Sequence, residues 1–269
     1  SLNGSLTFNT DFSATEVDDR QVNLTRFNLF FPEKRDFFLE SRGIFRFPAS
    51  GGRRGGGAGR GSPLPTLFFS RRIGLEAGQP VPILGGARLT GKIGPFDVGA
   101  LSLQTDDLPG GDAVCLAIGC PRPGVESTNF SVMRLRADVL RRSNIGALVT
   151  RRSEAVASSG SNQTYGADAS FSFFDELYLT GYYAGTQTHG IESRDRSYGS
   201  RISYDGDERG FRASHVLVED NFNPEVGFVP RSGFRETQLS VRVSPRPRNI
   251  EKLRQVLLNM CKTVPVKKD

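Results

Sequence analysis

Between Tyr165 and Tyr183 the chain alternates apolar and polar positions. Tyr165, Ala167, Ala169, Phe171 and Phe173 stand against Gly166, Asp168, Ser170 and Ser172. Beyond a turn at Phe174-Asp175-Glu176, Leu177, Leu179 and Gly181 stand against Tyr178, Thr180 and Tyr182. A period of two sends successive side chains to opposite faces of a strand, so this stretch predicts a hairpin with one apolar and one polar face.

The same unit recurs. Leu2 to Phe12 alternates and predicts a strand. Ile83, Gly85, Ala87, Leu89 and Gly91 oppose Gly86, Arg88, Thr90 and Lys92, and the chain turns at Ile93-Gly94-Pro95 and returns through Phe96 to Gln104. Met133, Leu135, Ala137 and Val139 alternate with Arg134, Arg136 and Asp138, and a turn at Arg141 to Asn144 leads into Ile145, Ala147 and Val149. Tyr198 to Tyr204 pairs through Asp205-Gly206-Asp207 with Phe211 to Val218, and Phe234 to Val243 is the last clear strand. Short turns alternate with long connections, and aromatics gather beside the short turns: Phe96, Phe173, Phe174, Tyr204 and Phe211. Soluble barrels and sandwiches also alternate. The loop asymmetry and the aromatic girdle favour an outer-membrane-type barrel, with tight turns at one rim and long loops at the other.

Two stretches break the pattern. Phe27 to Phe47 is dense in phenylalanine and charge, and Ala49 to Pro65 is glycine-rich; together 27–65 is expected as an insert at the lumen or rim of a barrel domain spanning 1–248. From Asn249 the pattern changes: Asn249 can cap a helix, and Leu253, Val256, Leu257 and Met260 recur at helical spacing. A short helix and a basic tail are expected over 249–269.

Composition narrows the class only modestly. No apolar run approaches the roughly 18 residues of a spanning helix, which excludes helical membrane proteins and leaves strand-built ones open. The net charge is +6, but the arginines sit singly on polar strand faces near carboxylates, a distribution that argues against a nucleic-acid patch. Cys115 and Cys120 share a Gly/Pro-rich loop, where either a small disulfide loop in an exported protein or two free thiols fits. Ser1 opens straight into strand-like sequence, as expected of a mature, trimmed or partial chain.

Candidate chemistry is sparse. Gly86 to Lys92 imitates part of a phosphate-binding loop, but Ile93 follows the lysine and the segment reads as mid-strand. With two histidines, one on an apolar strand face (His215), no zinc site or catalytic triad emerges, and no metal or cofactor is expected. Asp11, Glu16, Asp18 and Asp19 are the weak catalytic candidates, as an acid/base pair of a glycan hydrolase; the bland alternative is a polar segment pairing with arginines. The polar strand faces carry Arg88, Lys92, Arg134, Arg136, Asp138, Asp168, Arg201, Arg212 and Arg242. Inside a barrel these would line the lumen with a positive excess, suited either to an anionic solute or to a salt-bridged filling.

Several stretches also resemble a known family. They are Thr10-Asp11-Phe12, Glu16 to Phe27, Phe30 to Arg35 with Phe37 to Glu40, Ser70 to Gly74, Pro82 to Arg88, and Asn221 to Phe228. Over roughly 2–248 the chain resembles the uncharacterised domain found C-terminal to a family 9-like carbohydrate-binding module in exported bacterial proteins. The resemblance implies an outer-membrane β-barrel and an upstream carbohydrate-binding module that this sequence does not contain. It implies no catalytic residues, and the labels of hydrolase or carbohydrate binding attached to such proteins fit the upstream module.

The expectation is therefore an all-β, antiparallel, up-and-down outer-membrane-type barrel or a large part of one, in contact with outer-membrane lipid. It would bind or pass a solute, such as a saccharide, at the bacterial cell surface. The rival expectations are a carboxylate-dependent glycan hydrolase and a soluble β domain that binds an acidic ligand.

Overall fold

The computed structural model describes residues 1–10, 33–40, 42–48, 64–76, 79–108, 124–156, 160–191, 193–245 and 258–267. Eleven strands form one antiparallel sheet: β1 (Leu2–Thr10), β4 (Ile83–Ile93), β5 (Phe96–Thr105), β6 (Asn129–Leu140), β7 (Ser143–Arg152), β8 (Asn162–Phe173), β9 (Leu177–Thr188), β10 (Arg196–Asp205), β11 (Arg209–Val218), β12 (Phe234–Val243) and β13 (Leu258–Lys267). Neighbours in the sheet follow chain order, an up-and-down meander. The remaining two strands, β2 (Leu75–Glu76) and β3 (Gln79–Pro80), form a separate hairpin between β1 and β4, and α1 (Asp36–Leu39) is a single helical turn. β1 and β13 are the two edges of the large sheet and do not pair with each other.

Two or three residues join β4 to β5, β6 to β7, β8 to β9 and β10 to β11. At the opposite end the connections are long (106–128, 153–161, 189–195 and 219–233). Left-handed backbone at Phe174 and Asp175, with φ of 52° and 61°, turns the three-residue β8–β9 hairpin with the twist that matches two right-twisted strands.

The helix expected to reach Met260 is not what forms there. Leu258 to Lys267 is the strand β13, paired with β12 from Val243↔Leu258 to Phe234↔Lys267; 246–257 lie outside the described residues. Met260 satisfies a helical period with Leu253 and Val256, but it also alternates with Leu258 and Val264 along one strand face. Backbone bonding to β12 decides between the two periods, because tertiary context overrides local preference. Pro265 is tolerated because β13 is an edge. Another difference lies at the start of β4, where a bulge between Ile83 and Gly85 turns Ile83 to the opposite face from Ala87 and Leu89.

Along most of the sheet the buried face is the polar one. In β8, Asn162, Thr164, Gly166, Asp168 and Ser170 are buried, while Gln163, Tyr165, Ala167 and Phe173 are exposed. Met133, Leu135, Ile145, Val149, Leu179, Leu239 and Val241 are likewise exposed, Met133 to 66% and Leu239 to 49%. The segments between β1 and β4 cover the polar face, which is called the inner face below. Phe38, Phe45 and Ile73 pack with Ile83, Leu101, Leu103, Phe130 and Val132. Phe47 and Leu67 pack with Leu148, Tyr182, Val216 and Val218. Glycine makes this approach possible at Gly166, where a Cβ would stand 2.5 Å from Leu67 Cδ1 and 2.8 Å from Phe47 Cζ.

This layer over the polar face, termed the plug, is fastened at Glu33. The carboxylate accepts hydrogen bonds from Arg35 Nε and Nη2, both at 2.8 Å, and from the Ser70 hydroxyl at 2.5 Å. Arg35 also donates to the carbonyls of Ile73 at 2.7 Å and Ser70 at 2.6 Å. Burial pushes the Glu33 carboxyl up, but the hydrogen bond and charge of Arg35, with the Ser70 hydroxyl, outweigh it and hold the group below the ordinary carboxylate value. A carboxyl lowered in the folded state contributes stability above its unfolded value, about 4.3, and that contribution is lost as pH falls through the folded value. Hydrogen exchange across 64–76 should therefore stay slow down to about pH 5 and accelerate below about pH 4. Glu33→Gln should exchange faster at neutral pH and lack the acid step; an unchanged acid step in that variant would assign it elsewhere.

Candidate functional site: the inner face

Strand parity alone delivers the charged side chains to the inner face, and cross-strand register then selects their partners. Arg134 on β6 and Asp168 on β8 reach across β7 at Gly146, whose absent side chain leaves the guanidinium room: a Cβ there would lie 3.0 Å from Arg134 Cζ. Arg134 Nη1 donates to Asp168 Oδ1 at 2.5 Å and Nη2 to Oδ2 at 3.0 Å, a forked pair with both side chains 1% exposed. The guanidinium also lies over the Phe47 ring, 5.6 Å from its centroid.

Nearer the short turns, Arg136 donates to Asp97 Oδ2 from Nε at 3.0 Å and Nη2 at 2.5 Å. Lys92 meets Asp138 at 2.5 Å in a half-exposed pair beside the short turns. Arg88 ties sheet and plug: it donates to the Phe37 and Glu40 carbonyls, to the Glu40 carboxylate and to the Ser5 hydroxyl on β1. Toward the long loops, Arg152 lies between Glu76 at 2.9 Å and Glu225 at 3.7 Å. Glu225 also accepts from the Val156 amide at 2.8 Å, and Asn162 from the Glu225 amide at 3.2 Å.

Arg201, Arg212 and Arg242 differ. They occupy inner positions of β10, β11 and β12, and none forms an ion pair among the described residues. Arg201 Nε is buried with no hydrogen-bond partner, and Arg242 donates only to the Gly206 carbonyl, at 2.5 Å. The nine lumen-face candidates therefore separate into six paired groups (Arg88, Lys92, Arg134, Arg136, Asp138 and Asp168) and three arginines without a carboxylate. Asp11, Glu16, Asp18, Asp19, Cys115 and Cys120 lie outside the described residues.

Sequence reasoning missed Glu33, Arg35, Glu76, Asp97, Arg152 and Glu225 as members of this network. Parity carried a signal for Asp97 and Arg152, because each continues the inner series of its strand. Glu225 falls in Asn221 to Phe228, and Phe228 bridges to Thr66 while the Gly227 carbonyl accepts from Arg72 Nε at 3.2 Å. Three separated motifs, around Glu33, Ser70 and Glu225, thus converge under the sheet. On the outer face a second aromatic row was missed: Tyr165, Tyr183 and Tyr198. Protein-family models, curated proteins and solved structures were each compared with the chain, and none matches.

Removing one member of a buried ion pair strands the other charge, at a cost of about 3–5 kcal/mol, whereas replacing both with apolar groups is often neutral. Asp168→Asn should accordingly lower the urea midpoint strongly. The joint change Arg134→Leu with Asp168→Leu should lower it less. A double variant as unstable as the sum of the two single variants would show that Arg134 and Asp168 are not energetically coupled.

Proposed function

We propose that the chain forms the wall of an outer-membrane β-barrel with a built-in plug. The barrel binds or passes an anionic solute, such as a charged saccharide, at the bacterial cell surface, without catalysing a reaction. The observation that carries this reading is the inverted polarity of the sheet: apolar side chains face out on strand after strand, and charges face in. Water on the outer side would leave Met133, Leu135, Val149, Leu239 and Val241 exposed without reward, while lipid makes the same positions favourable.

Dimensions agree. From Tyr165 to Phe173 along β8 is about 27 Å at ~3.4 Å per residue, or about 21 Å of height at a ~40° tilt. The tyrosine row marks one border of this band, and Phe96, Phe173, Tyr204 and Phe211 mark the other, as headgroup-level aromatics do. Above the tyrosines the outward positions turn polar: Ser131, Arg151, Gln163 and Gln187. Unpaired strand edges are costly in lipid, so the reading requires the β1 and β13 edges to be joined in a closed wall. The saccharide in this proposal comes from the resemblance to domains that follow a carbohydrate-binding module. The glycan-hydrolase alternative rests on Asp11 to Asp19 and has no described geometry behind it.

Adjacent residues on β12 test the orientation. In a background with Cys115, Cys120 and Cys261 replaced by serine, Gln238→Cys should react with a membrane-impermeant thiol reagent in liposomes, and Leu239→Cys should be protected. A chain that stays soluble without lipid or detergent, with Leu239→Cys freely labelled, would overturn the membrane reading.

A further inference from the structure

The geometry points to an oxyanion-binding row formed by Arg201, Arg212 and Arg242, built for a saccharide carrying several carboxylates. The inference rests on the reading of the inner face as a solute path, and it names the residues and ligand class of that path. The three arginines step diagonally across neighbouring strands: Arg201 lies opposite Ser214, Arg212 opposite Ser203 on one side and Ser240 on the other, and Arg242 opposite Gly210. Each is thus displaced by two positions from the next, a diagonal reach of about 7–8 Å, within the span of long side chains.

Every other arginine or lysine named above on the inner face has a carboxylate against it, at Asp97, Asp138, Asp168, Glu40, Glu76 or Glu225. The row has serines and a glycine between its members instead. Asp205, the inner position of β10 beyond Ser203, lies opposite Gly210 and forms no ion pair with the three. Like charges at this spacing repel; the buried Nε of Arg201 has no hydrogen-bond partner, but neither has that of Arg88 or Arg134, so it is the missing carboxylate that sets the row apart. The register sets Asp205 and Arg242 on either side of Gly210, yet no ion pair forms between them, unlike the carboxylates of β5, β6 and β8. All three residues are half-buried rather than closed off, so a ligand on the inner side can reach them.

Guanidinium is a planar fork that holds carboxylate or sulfate by paired, charge-assisted bonds. Three forks in a row reward a chain bearing repeated anionic groups over a single small ion, because one ligand then meets several sites at once. The hydroxyls of the half-buried Ser214 and Ser240 supply neutral donors and acceptors between the charges, as sugar hydroxyls require.

The test uses the full chain, folded in detergent and titrated calorimetrically with tri-galacturonate, maltotriose and inorganic sulfate. Tri-galacturonate should bind, weaken as salt rises, and lose about tenfold in affinity for each of Arg201→Gln and Arg212→Gln. Arg151→Gln, on the outer face, should leave binding unchanged. Equal binding of tri-galacturonate and maltotriose would overturn the proposal. So would undiminished affinity in the folded double variant, or no binding to the wild-type chain. Sulfate binding as tightly as the trisaccharide would overturn the saccharide class. The cysteine labelling on β12 is scored separately: uronate binding without lipid protection would sink the membrane reading and leave the site standing, and the reverse outcome would do the opposite.

Discussion

A guanidinium removed from water needs a carboxylate or a set of carbonyls in reach, and the inner side of this sheet is arranged around that need. Arg134 meets Asp168 across an intervening strand, Arg35 meets Glu33 with two carbonyls behind it, and Arg152 sits between Glu76 and Glu225. Arg88 binds the plug and β1 at once. These pairs fix more than themselves. Arg134–Asp168, Arg152 with Glu76 and Glu225, and Arg88 join segments far apart in the chain, and the Glu33–Arg35 pair reaches Ser70 and Ile73, so satisfying the buried charges also sets the register of the strands and the seat of the plug. Buried ion pairs add little net stability, but they penalise any arrangement that parts them.

The polarity of the sheet changes along the strand axis as well as across it. On β6 the inner positions run Phe130, Val132, Arg134, Arg136, and the outer positions run Asn129, Ser131, Met133, Leu135. Near the long loops an apolar interior lies behind a polar exterior, as in a water-soluble domain. Near the short turns the order reverses. The plug supplies the apolar interior with Phe45, Phe47, Leu67 and Ile73, which gives Phe38, Phe45 and Phe47 of the phenylalanine-rich segment their place among the described residues. The outer side of the sheet is thus polar toward the long loops and apolar toward the short turns.

Much of this was legible in alternation. Hairpins, short turns and the inward parity of Arg88, Arg134, Arg136, Asp168, Arg201, Arg212 and Arg242 follow from a period of two, since a strand offers each residue only two directions. Partner choice was not legible. Arg134 and Asp168 are separated by a whole strand, and only the register through Gly146 places them together. The bulge after Ile83 inverts a face without any compositional mark, and Met260 fits two periods until β12 is beside it. The bare arginine row was equally hidden, because a lack of partners appears only once every neighbour has a place.

The central claim is that the outward apolar band lies in hydrocarbon. The chain has no tryptophan, so single tryptophans can report depth without background. Tyr165→Trp, Ala167→Trp, Ala169→Trp and Phe173→Trp, each reconstituted into bilayers of lipids brominated at defined acyl positions, place four probes along the outer side of β8. The account predicts deepest quenching at 167 and 169 and shallow quenching at 165 and 173. Weak, depth-independent quenching at all four would contradict it and return the sheet to water.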